Sequence, residues 1–424
     1  MKAPPAARTE PESRLARRLG LGDAVVLGLG SMLGAGVFAV LAPAADAAGA
    51  GLLVGLGIAG VVAYANASSS ADLAALYPAS GGTYVYGRVR LGPLWGFVAG
   101  WGFVVGKLAS LAAMALTFGE YVAPGAARPL AVAAVVGATA LNLGGIAKTA
   151  GVTRVIVAFV IAVLAAVVVA CLTGSALSWA PFERPWPGGA YGILQSAGLL
   201  FFAFAGYARI ATLGEEVRDP SRTIPRAVPL ALGIVLAVYA LVAVGALMAL
   251  GPEALARASA PLAAAVDAAG AHALAPIVRA GAAVASLGVL VSLVAGVSRT
   301  TFAMASEGDL PRFAAAVHER TRVPHRAELL VGAVVVVTVA LVDLRNAIGF
   351  SSFAVLVYYA IANAAALTLG PGERRHPRAL AAFGVLGCGV LAATLPARSV
   401  AVGGGVLLAG IVIFLVRIRS GRTR

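Results

Sequence analysis

Charged residues, cysteine and histidine are all scarce in this sequence. Only 12% of the 424 residues are charged, and there are two cysteines and four histidines. Cys171 and Cys388 both lie in apolar runs, and neither their spacing nor their setting indicates a metal site or a disulfide framework. The histidines fall in predicted loops or tails: His272, His318, His325 and His376. We therefore expect no metal, no cofactor and no proton relay through histidine.

The patterns of three other function classes are missing as well. The glycine-rich stretch near the start lacks the GKS/T ending of a phosphate-binding loop, so we expect no nucleotide partner and no ATP-driven transport by this chain alone. No predicted span carries a cluster of histidines and acids, or a serine with a base, which argues against a membrane enzyme. Both tails are short, whereas a signalling sensor would carry a large tail.

Apolar residues, by contrast, make up 60% of the chain, with a mean hydropathy of +0.93. A soluble domain of this length does not need so much apolar surface, so the sequence predicts an all-α polytopic membrane protein. A span with its loop takes roughly 35 residues, which gives about twelve transmembrane helices. We predict spans at 23–45, 51–76, 93–118, 129–147, 152–173, 190–212, 227–250, 274–304, 327–342, 347–369, 379–395 and 399–417.

The basic residues indicate an orientation in the membrane rather than a nucleic-acid partner. The formal net charge is +14, but the arginines and lysines are spread over short loops and form no single patch. Loops rich in arginine alternate with loops that hold single arginines, as the positive-inside rule requires. This alternation places both termini of a multi-pass cell-membrane protein in the cytoplasm. We expect a cytoplasmic tail at 1–20 and a single transmembrane domain at 21–420.

The first span contains a glycine-rich stretch, Gly28–Phe38. It holds four glycines within nine residues, and each costs a helix about 1 kcal/mol relative to alanine. In a membrane, any backbone group freed by a break must find a partner in the protein or in a water-filled cavity. One interpretation is therefore a broken helix that offers backbone N–H and C=O groups to a polar ligand. The other is close helix packing, since Gly30 and Gly34 form a GxxxG face.

A second interruption is predicted in the sixth span, where Gly206 follows a run of aromatic residues. Phe201, Phe202 and Phe204 cannot all share one helical face, so at least one of them points into the bundle. Interrupted helices at corresponding positions in two halves of a chain are the best sequence pointer to a transporter site near the middle of the membrane. Bulky aromatic neighbours also fit an occluding site better than an open channel. The alternative is a packing glycine with phenylalanines that face lipid.

Four regions of the chain resemble the amino acid–polyamine–organocation permeases. The sixth-helix pattern of that family is similar to Phe204–Tyr207, Ile210–Pro220 and Thr223–Ala227, and its first-helix motif is similar to Gly34–Phe38. The loop after its second helix resembles Tyr77–Tyr86, Gly92–Pro93 and Gly100–Trp101. The end of its eighth helix resembles Ser298–Arg299, Met304–Ala305, Gly308–Pro311 and Pro324–His325. The resemblance runs from about residue 20 to 330, in order and at fitting separations.

The resemblance implies two inverted five-helix repeats, at about 21–175 and 188–370, and two trailing helices at about 378–418. It also implies a secondary transporter that binds an amino acid at the broken first and sixth helices and works by alternating access. The N-terminus of a half-helix offers N–H groups and partial positive charge to a carboxylate. Unwound carbonyls accept hydrogen bonds from an ammonium group. A zwitterionic amino acid fits both at once.

Carried over residue by residue, the family pattern gives a substrate site next to Gly206. The carboxylate is expected on the backbone N–H groups of four residues: Leu33, Gly34, Ala35 and Gly36. The ammonium group is expected on the carbonyls of three residues: Met32, Phe202 and Ala205. Phe202 or Phe204 would close the site from the outside. An inner gate or loop anchor is expected from three more residues: Glu215, Glu216 and Arg218.

The chain departs from the family pattern at two positions. Ala208 stands where many relatives carry an acid, and Val160 aligns with a lysine of the fifth helix. Lys107, in the middle of the third span, takes the place of that lysine in our hypothesis, as a fixed or titrating cation. The alternative is a side chain that snorkels to an interface. Arg209 either pairs with an acid or excludes cationic substrates, or it faces cytoplasmic water at a helix end.

The predicted site contains no clear acidic residue, which favours a neutral or small amino acid as substrate. The Glu215–Glu216 turn resembles that of cationic amino acid permeases, so a cationic amino acid or polyamine permease or exchanger stays open as an alternative. A membrane sensor that does not transport is a second alternative. The expected partners are an amino acid and the lipid bilayer, with the proton as candidate coupling ion and without nucleic acid.

Overall fold

The computed structural model describes residues 19–77, 81–145, 150–174, 177–183, 186–207, 210 and 217–419. Within these residues the regular structure is helical, apart from an isolated bridge between Leu19 and Val217. The α-helices in chain order are α1 (Leu21–Met32), α2 (Ala35–Ala39), α3 (Leu41–Ala48), α4 (Leu52–Leu76), α5 (Thr83–Leu91), α6 (Pro93–Val122), α7 (Ala127–Leu143), α8 (Ala150–Thr173), α9 (Ala180–Glu183), α10 (Gly189–Phe204), α11 (Pro220–Leu250), α12 (Pro252–Arg257), α13 (Pro261–Ala268), α14 (Ala275–Ser306), α15 (His325–Leu341), α16 (Leu344–Leu367), α17 (Arg378–Thr394) and α18 (Ala397–Arg419).

Ten helical runs in the described ranges are long and apolar enough to cross a membrane. They coincide with ten of the predicted spans. The other two, predicted at 327–342 and 379–395, correspond to the 17-residue helices α15 and α17. Every predicted span therefore overlaps a helix, and the prediction of an all-α polytopic membrane protein is confirmed.

Differences from the predicted boundaries occur where glycine and proline set the helix ends. The fourth span was expected to reach residue 147, but α7 ends at Leu143 and the chain turns at Gly145, whose φ is 72°. The seventh helix begins at Pro220 rather than near 227, because proline suits the first turn of a helix. The predicted loop over 251–273 contains the short helices α12 and α13, and each of them also begins with proline.

The turn between α5 and α6 depends on the pair Gly92–Pro93. Gly92 has a φ of 104°, a conformation that glycine adopts without strain, and it ends α5. Pro93 then occupies the first position of α6, where its missing N–H costs no helical hydrogen bond. The turn brings α5 back against α6, so that a β-carbon added at Gly87 would lie 3.2 Å from the carbonyl oxygen of Trp95.

Two long helices organise the packing of the bundle. The helix α6 contacts α7, α14 and α16, while α4 contacts α10, α11 and α17. Small residues allow these close approaches: a β-carbon added at Gly106 of α6 would lie 2.8 Å from the Cβ of Ala354 of α16. As a result, α2 lies against α6, α10 and α14, and the two predicted interruptions meet inside the bundle.

Candidate functional site

The helix of the first predicted span is interrupted between Met32 and Ala35. The N–H of Leu33 closes the last turn of α1 on the carbonyl of Leu29, at 2.7 Å. Gly34 has φ −90° and ψ −146°, and α2 starts at the next residue. Since this φ is open to any residue, the reason for glycine is space: a β-carbon at Gly34 would overlap the side chain of Val289.

The helix of the sixth predicted span ends at Phe204 and continues as a single 3-10 turn, Ala205–Tyr207. The N–H of Ala205 donates to the carbonyl of Phe202. Phe201, Phe202 and Phe204 are all buried. At least one of these rings was predicted to point into the bundle, and the structure buries all three.

The two interruptions lie against each other, backbone to backbone. A β-carbon added at Gly206 would overlap the carbonyl oxygen of Ser31 and lie 2.9 Å from the nitrogen of Met32. On the other side, a β-carbon added at Gly36 would lie 2.8 Å from the Cα of Ala203. The glycines of the two segments therefore permit a main-chain contact that no larger residue could keep. The structure brings together nine residues predicted for the substrate site: Met32, Leu33, Gly34, Ala35, Gly36, Phe202, Phe204, Ala205 and Gly206.

Hydrogen-bond donors are available at the start of α2. The first N–H groups of any helix have no acceptor within that helix. The residue before α2 is Gly34, which has no side chain to accept from them. The N–H groups of Ala35 and Gly36 are the first two of α2 and lie within the interruption.

Backbone carbonyls lie at the ends of α1 and α10. Those predicted to hold an ammonium group already accept hydrogen bonds within the protein. The Tyr239 hydroxyl lies 2.5 Å from the carbonyl oxygen of Met32, and the Tyr359 hydroxyl lies 3.3 Å from that of Ala205. The carbonyl of Phe202 accepts from the N–H of Ala205. Sequence reasoning missed both tyrosines. The available signal was only that each is a polar side chain within a long apolar run.

Aromatic rings surround the second interruption. Phe204 contacts Tyr239 edge to face, with ring centroids 5.3 Å apart. Tyr359 contacts the rings on both sides of the interruption, Phe201 at 5.8 Å and Tyr207 at 4.9 Å. The described side chains in these contacts are apolar or phenolic, and none is charged.

Lys107 is buried in α6, with 8% of its surface exposed. Its ammonium nitrogen lies 6.0 Å from the ring centroid of Phe103, the outer limit of a cation–π contact. In the part of the chain that the structure describes, no carboxylate forms an ion pair with it. A lysine that snorkels would reach an interface, whereas this one remains inside the bundle.

Contacts with α16 link the helical face of Lys107 to the site. Phe103 and Ser110 share its helical face, at spacings of four and three residues. Phe103 contacts Tyr358 of α16 at 5.3 Å, and the Ser110 hydroxyl lies 2.6 Å from that of Ser351. The next residue of α16 after Tyr358 is Tyr359, which contacts the second interruption.

Of the remaining charged candidates, only Arg218 lies within the described residues. Its side chain is exposed, and its backbone N–H donates to the carbonyl of Leu19 at 2.9 Å, next to the Leu19–Val217 bridge. This contact ties the chain before α11 to the start of α1. Arg209, Glu215 and Glu216 lie outside the described residues.

A polar cluster on α4, α16 and α17 was not predicted. The amide of Asn363 donates to the Asn66 side-chain oxygen at 2.6 Å and to the Tyr359 carbonyl at 2.9 Å. The Cys388 thiol lies 3.3 Å from the same Asn66 oxygen. The cluster therefore supports the segment of α16 that carries Tyr359.

Comparison with known proteins agrees with this architecture. Residues 19–417 match the family described as amino acid permease. An uncharacterized transporter of Mycobacterium tuberculosis is 63% identical over 98% of this chain and 94% of its own length. The branched-chain amino acid permease of Bacillus subtilis is 27% identical, over 89% of this chain and 86% of its own length. The methylthioribose transporter of the same organism is 28% identical, over 88% and 84%.

The match to the family covers nearly the whole chain, including both interruptions and the long helices that pack around them. It confirms the resemblance inferred from the four sequence regions. The chain belongs to the amino acid permease family of membrane transporters, within the amino acid–polyamine–organocation superfamily.

Proposed function

We propose that this chain is a secondary transporter that moves amino acids across the cell membrane by alternating access. In this proposal the substrate is held where the two interrupted helices meet. The observation that carries it is the main-chain contact of Gly206 with Ser31 and Met32. Together with the contact of Gly36 with Ala203, it supports a site formed by the end of α1, the start of α2 and the end of α10.

The backbone groups where the two interrupted helices meet suit a zwitterion. The N–H groups at the start of α2 carry the positive end of a helix dipole and would bind the substrate carboxylate. The carbonyls at the ends of α1 and α10 carry the negative ends and would accept from the ammonium group. Gly34, Ala35 and Gly36 supply the donors in this proposal. The N–H of Leu33, which was also expected to bind the carboxylate, already donates to the carbonyl of Leu29. Met32, Phe202 and Ala205 supply the acceptors.

The surroundings favour a neutral substrate side chain. A cationic amino acid or a polyamine needs a carboxylate for its second charge, because an unpaired charge is costly inside a membrane protein. Five described side chains in contact with the interruptions are apolar or phenolic, and none of them is charged: Val289, Phe201, Phe204, Tyr239 and Tyr359. A small or neutral amino acid meets these surfaces without an unpaired charge.

Phe202 and Phe204 are the candidates for a gate. Both rings are buried at the end of α10, directly before the 3-10 turn. Movement of this short segment would carry the rings away from the substrate without disturbing the rest of α10. In our proposal one of these rings closes the outer side of the site.

Lys107 is the proposed coupling residue. A buried cation without an ion pair is stabilised when it loses its proton or gains an anionic partner. Its helical face contacts α16, which in turn contacts the second interruption through Tyr359. We propose that protonation of Lys107 is exchanged during the transport cycle, with the proton as coupling ion. The proposed orientation places both termini in the cytoplasm and the Arg218 contact at the inner end of the bundle.

The proposal is tested by uptake into liposomes that contain the purified protein. The panel holds the twenty amino acids, common polyamines and methylthioribose, with and without an inward proton gradient and with internal substrate preloaded. We expect saturable uptake of one or more neutral amino acids. Uptake of polyamines or methylthioribose alone, or of nothing by a folded protein, would contradict the proposal.

A further inference from the structure

The Tyr239 hydroxyl lies between the two interrupted helices. It lies 2.5 Å from the carbonyl oxygen of Met32, at the end of α1, and 3.2 Å from that of Ala203, near the end of α10. Tyr239 belongs to a third helix, α11, and only 3% of its surface is exposed. One buried hydroxyl therefore contacts the main chain on both sides of the proposed site.

The Tyr239 hydroxyl needs these acceptors because it is buried. A buried tyrosine hydroxyl requires a hydrogen-bond partner, and the last carbonyls of a helix have none within the helix. The oxygens of Met32 and Ala203 meet this need, with Met32 as the closer acceptor. Because a hydroxyl has a single proton to donate, it can serve fully only one of them at a time.

An ammonium group that bridges α1 and α10 requires the position that this hydroxyl holds. Met32 is one of the carbonyls expected to bind the ammonium group, and the Tyr239 hydroxyl lies 2.5 Å from its oxygen. Hydrogen bonds from an ammonium group are charge-assisted and about twice as strong as neutral ones. A substrate ammonium group is therefore able to replace the phenol on the Met32 carbonyl.

We propose that the Tyr239 hydroxyl competes with the substrate ammonium group for the Met32 carbonyl and thereby sets substrate affinity. On binding, the ammonium group takes the Met32 oxygen and the hydroxyl turns to the Ala203 oxygen. The buried hydroxyl keeps an acceptor throughout, so the exchange leaves no polar group unpaired. This inference rests on the proposed function, since it assumes that the ligand carries an amino group.

Two other buried tyrosines, Tyr359 and Tyr121, can be compared with Tyr239. Tyr359 lies 3.3 Å from the carbonyl oxygen of Ala205, a weaker geometry. The Tyr121 hydroxyl donates to the Phe38 carbonyl at 2.9 Å and accepts from the N–H of Leu262 at 3.2 Å. Tyr121 has the same chemistry and burial as Tyr239 but lies away from the proposed acceptors. It is the matched control.

The test compares Tyr239→Phe and Tyr121→Phe with the wild type, with radiolabelled amino acid binding to the purified protein as the measurement. Loss of the competing hydroxyl frees the Met32 carbonyl. We expect Tyr239→Phe to lower the Kd about two- to tenfold, because this change corresponds to the net free energy of one hydrogen bond. Tyr121→Phe is expected to leave the Kd unchanged. An unchanged or higher Kd in Tyr239→Phe overturns the competition, because a tyrosine that positions the carbonyl would give weaker binding when shortened.

A second measurement keeps the hydroxyl and does not depend on the stability of the variant. Incorporation of 3-fluorotyrosine at position 239 allows the fluorine resonance to be followed while the amino acid is added. A saturable shift, with the midpoint at the Kd, is expected as the hydroxyl changes acceptor. A resonance that does not move on binding overturns the proposal. If the wild type binds no amino acid, the proposed function fails as well, whereas normal binding without these effects removes only the role of Tyr239.

Discussion

Gly206 lies so close to Ser31 that a β-carbon at position 206 would overlap the Ser31 carbonyl oxygen. The two residues belong to helices separated by most of the first half of the chain, and their contact joins the two interruptions. Close approach of backbones is what small residues provide in membrane bundles. Here it also brings together the helix ends whose N–H and C=O groups form the proposed site.

The first prediction concerns this contact. Gly206→Ala forces the two backbones apart, so we expect at least a tenfold loss of amino acid uptake and a destabilisation of about 1–3 kcal/mol from overpacking. Gly57→Ala is the control, because a β-carbon at Gly57 meets no atom within 4 Å. Uptake and melting temperature are measured on both variants. Normal uptake by Gly206→Ala would show that the contact is not needed.

The second prediction concerns Lys107. We expect Lys107→Met to fold at least as well as the wild type, because it removes a buried charge that lacks an ion pair among the described residues. Uptake by this variant should no longer respond to the proton gradient. Ser110→Ala, on the same helical face, controls for disturbance of the contact between α6 and α16. An unchanged rate and pH dependence in Lys107→Met would exclude Lys107 from coupling.

The third prediction concerns a buried carboxylate at the ends of α14 and α18. The side chain of Asp309 accepts hydrogen bonds from the Tyr84 hydroxyl at 2.7 Å, from Arg88 at 2.5 Å and from Arg417 at 2.6 Å. It is fully buried, whereas both arginines are partly exposed. Loss of its charge should therefore weaken all three contacts at once.

We expect Asp309→Asn to lower the free energy of unfolding by about 2 kcal/mol, as for hydrogen bonds to charged groups. The measurement is the melting temperature in detergent. Glu307→Gln is the control: Glu307 lies 3.7 Å from Arg88 with most of its side chain exposed, and such pairs contribute little. Equal melting temperatures for the two variants would contradict a structural role for Asp309.

The fourth prediction concerns pH. The Arg90 guanidinium donates to Glu373 at 2.7 Å and holds the pKa of that carboxyl below its usual value of 4.5. A lowered pKa in the folded state means that the contact stabilises the fold above pH 4.5 and loses its effect as the pH falls through the lowered value. The melting temperatures of Glu373→Gln and the wild type should therefore differ slightly at pH 7 and converge at acidic pH. A difference that grows on acidification would contradict this assignment.

Much of the fold could be predicted because hydropathy reports directly on which segments lie in lipid. Gly34 and Gly206 also lie just beyond the ends of α1 and α10, at Met32 and Phe204, as the cost of glycine in a helix and the family pattern suggested. The lengths of α7 and α11 were harder to predict from the sequence. Their ends depend on single turns at Gly145 and Pro220, which the average over a long apolar window conceals.

The partners across the bundle could not be predicted. Tyr239 and Met32 are 207 residues apart in sequence, and no local pattern relates them. The sequence does not indicate which backbone carbonyl accepts a given hydrogen bond, because every residue has a backbone carbonyl. The same holds for Asn66 and Asn363, whose amides meet only when α4 packs against α16. The roles of the site residues and the inverted repeats at 21–175 and 188–370 stay predictions.

The central claim is that the substrate lies where the two interruptions meet, and a structure determined with the transported amino acid bound tests it most directly. We predict density for the carboxylate at the N–H groups of Ala35 and Gly36, and for the ammonium group at the carbonyl of Met32. Density at another place in the bundle, such as the α6–α16 interface beside Lys107, would contradict the account.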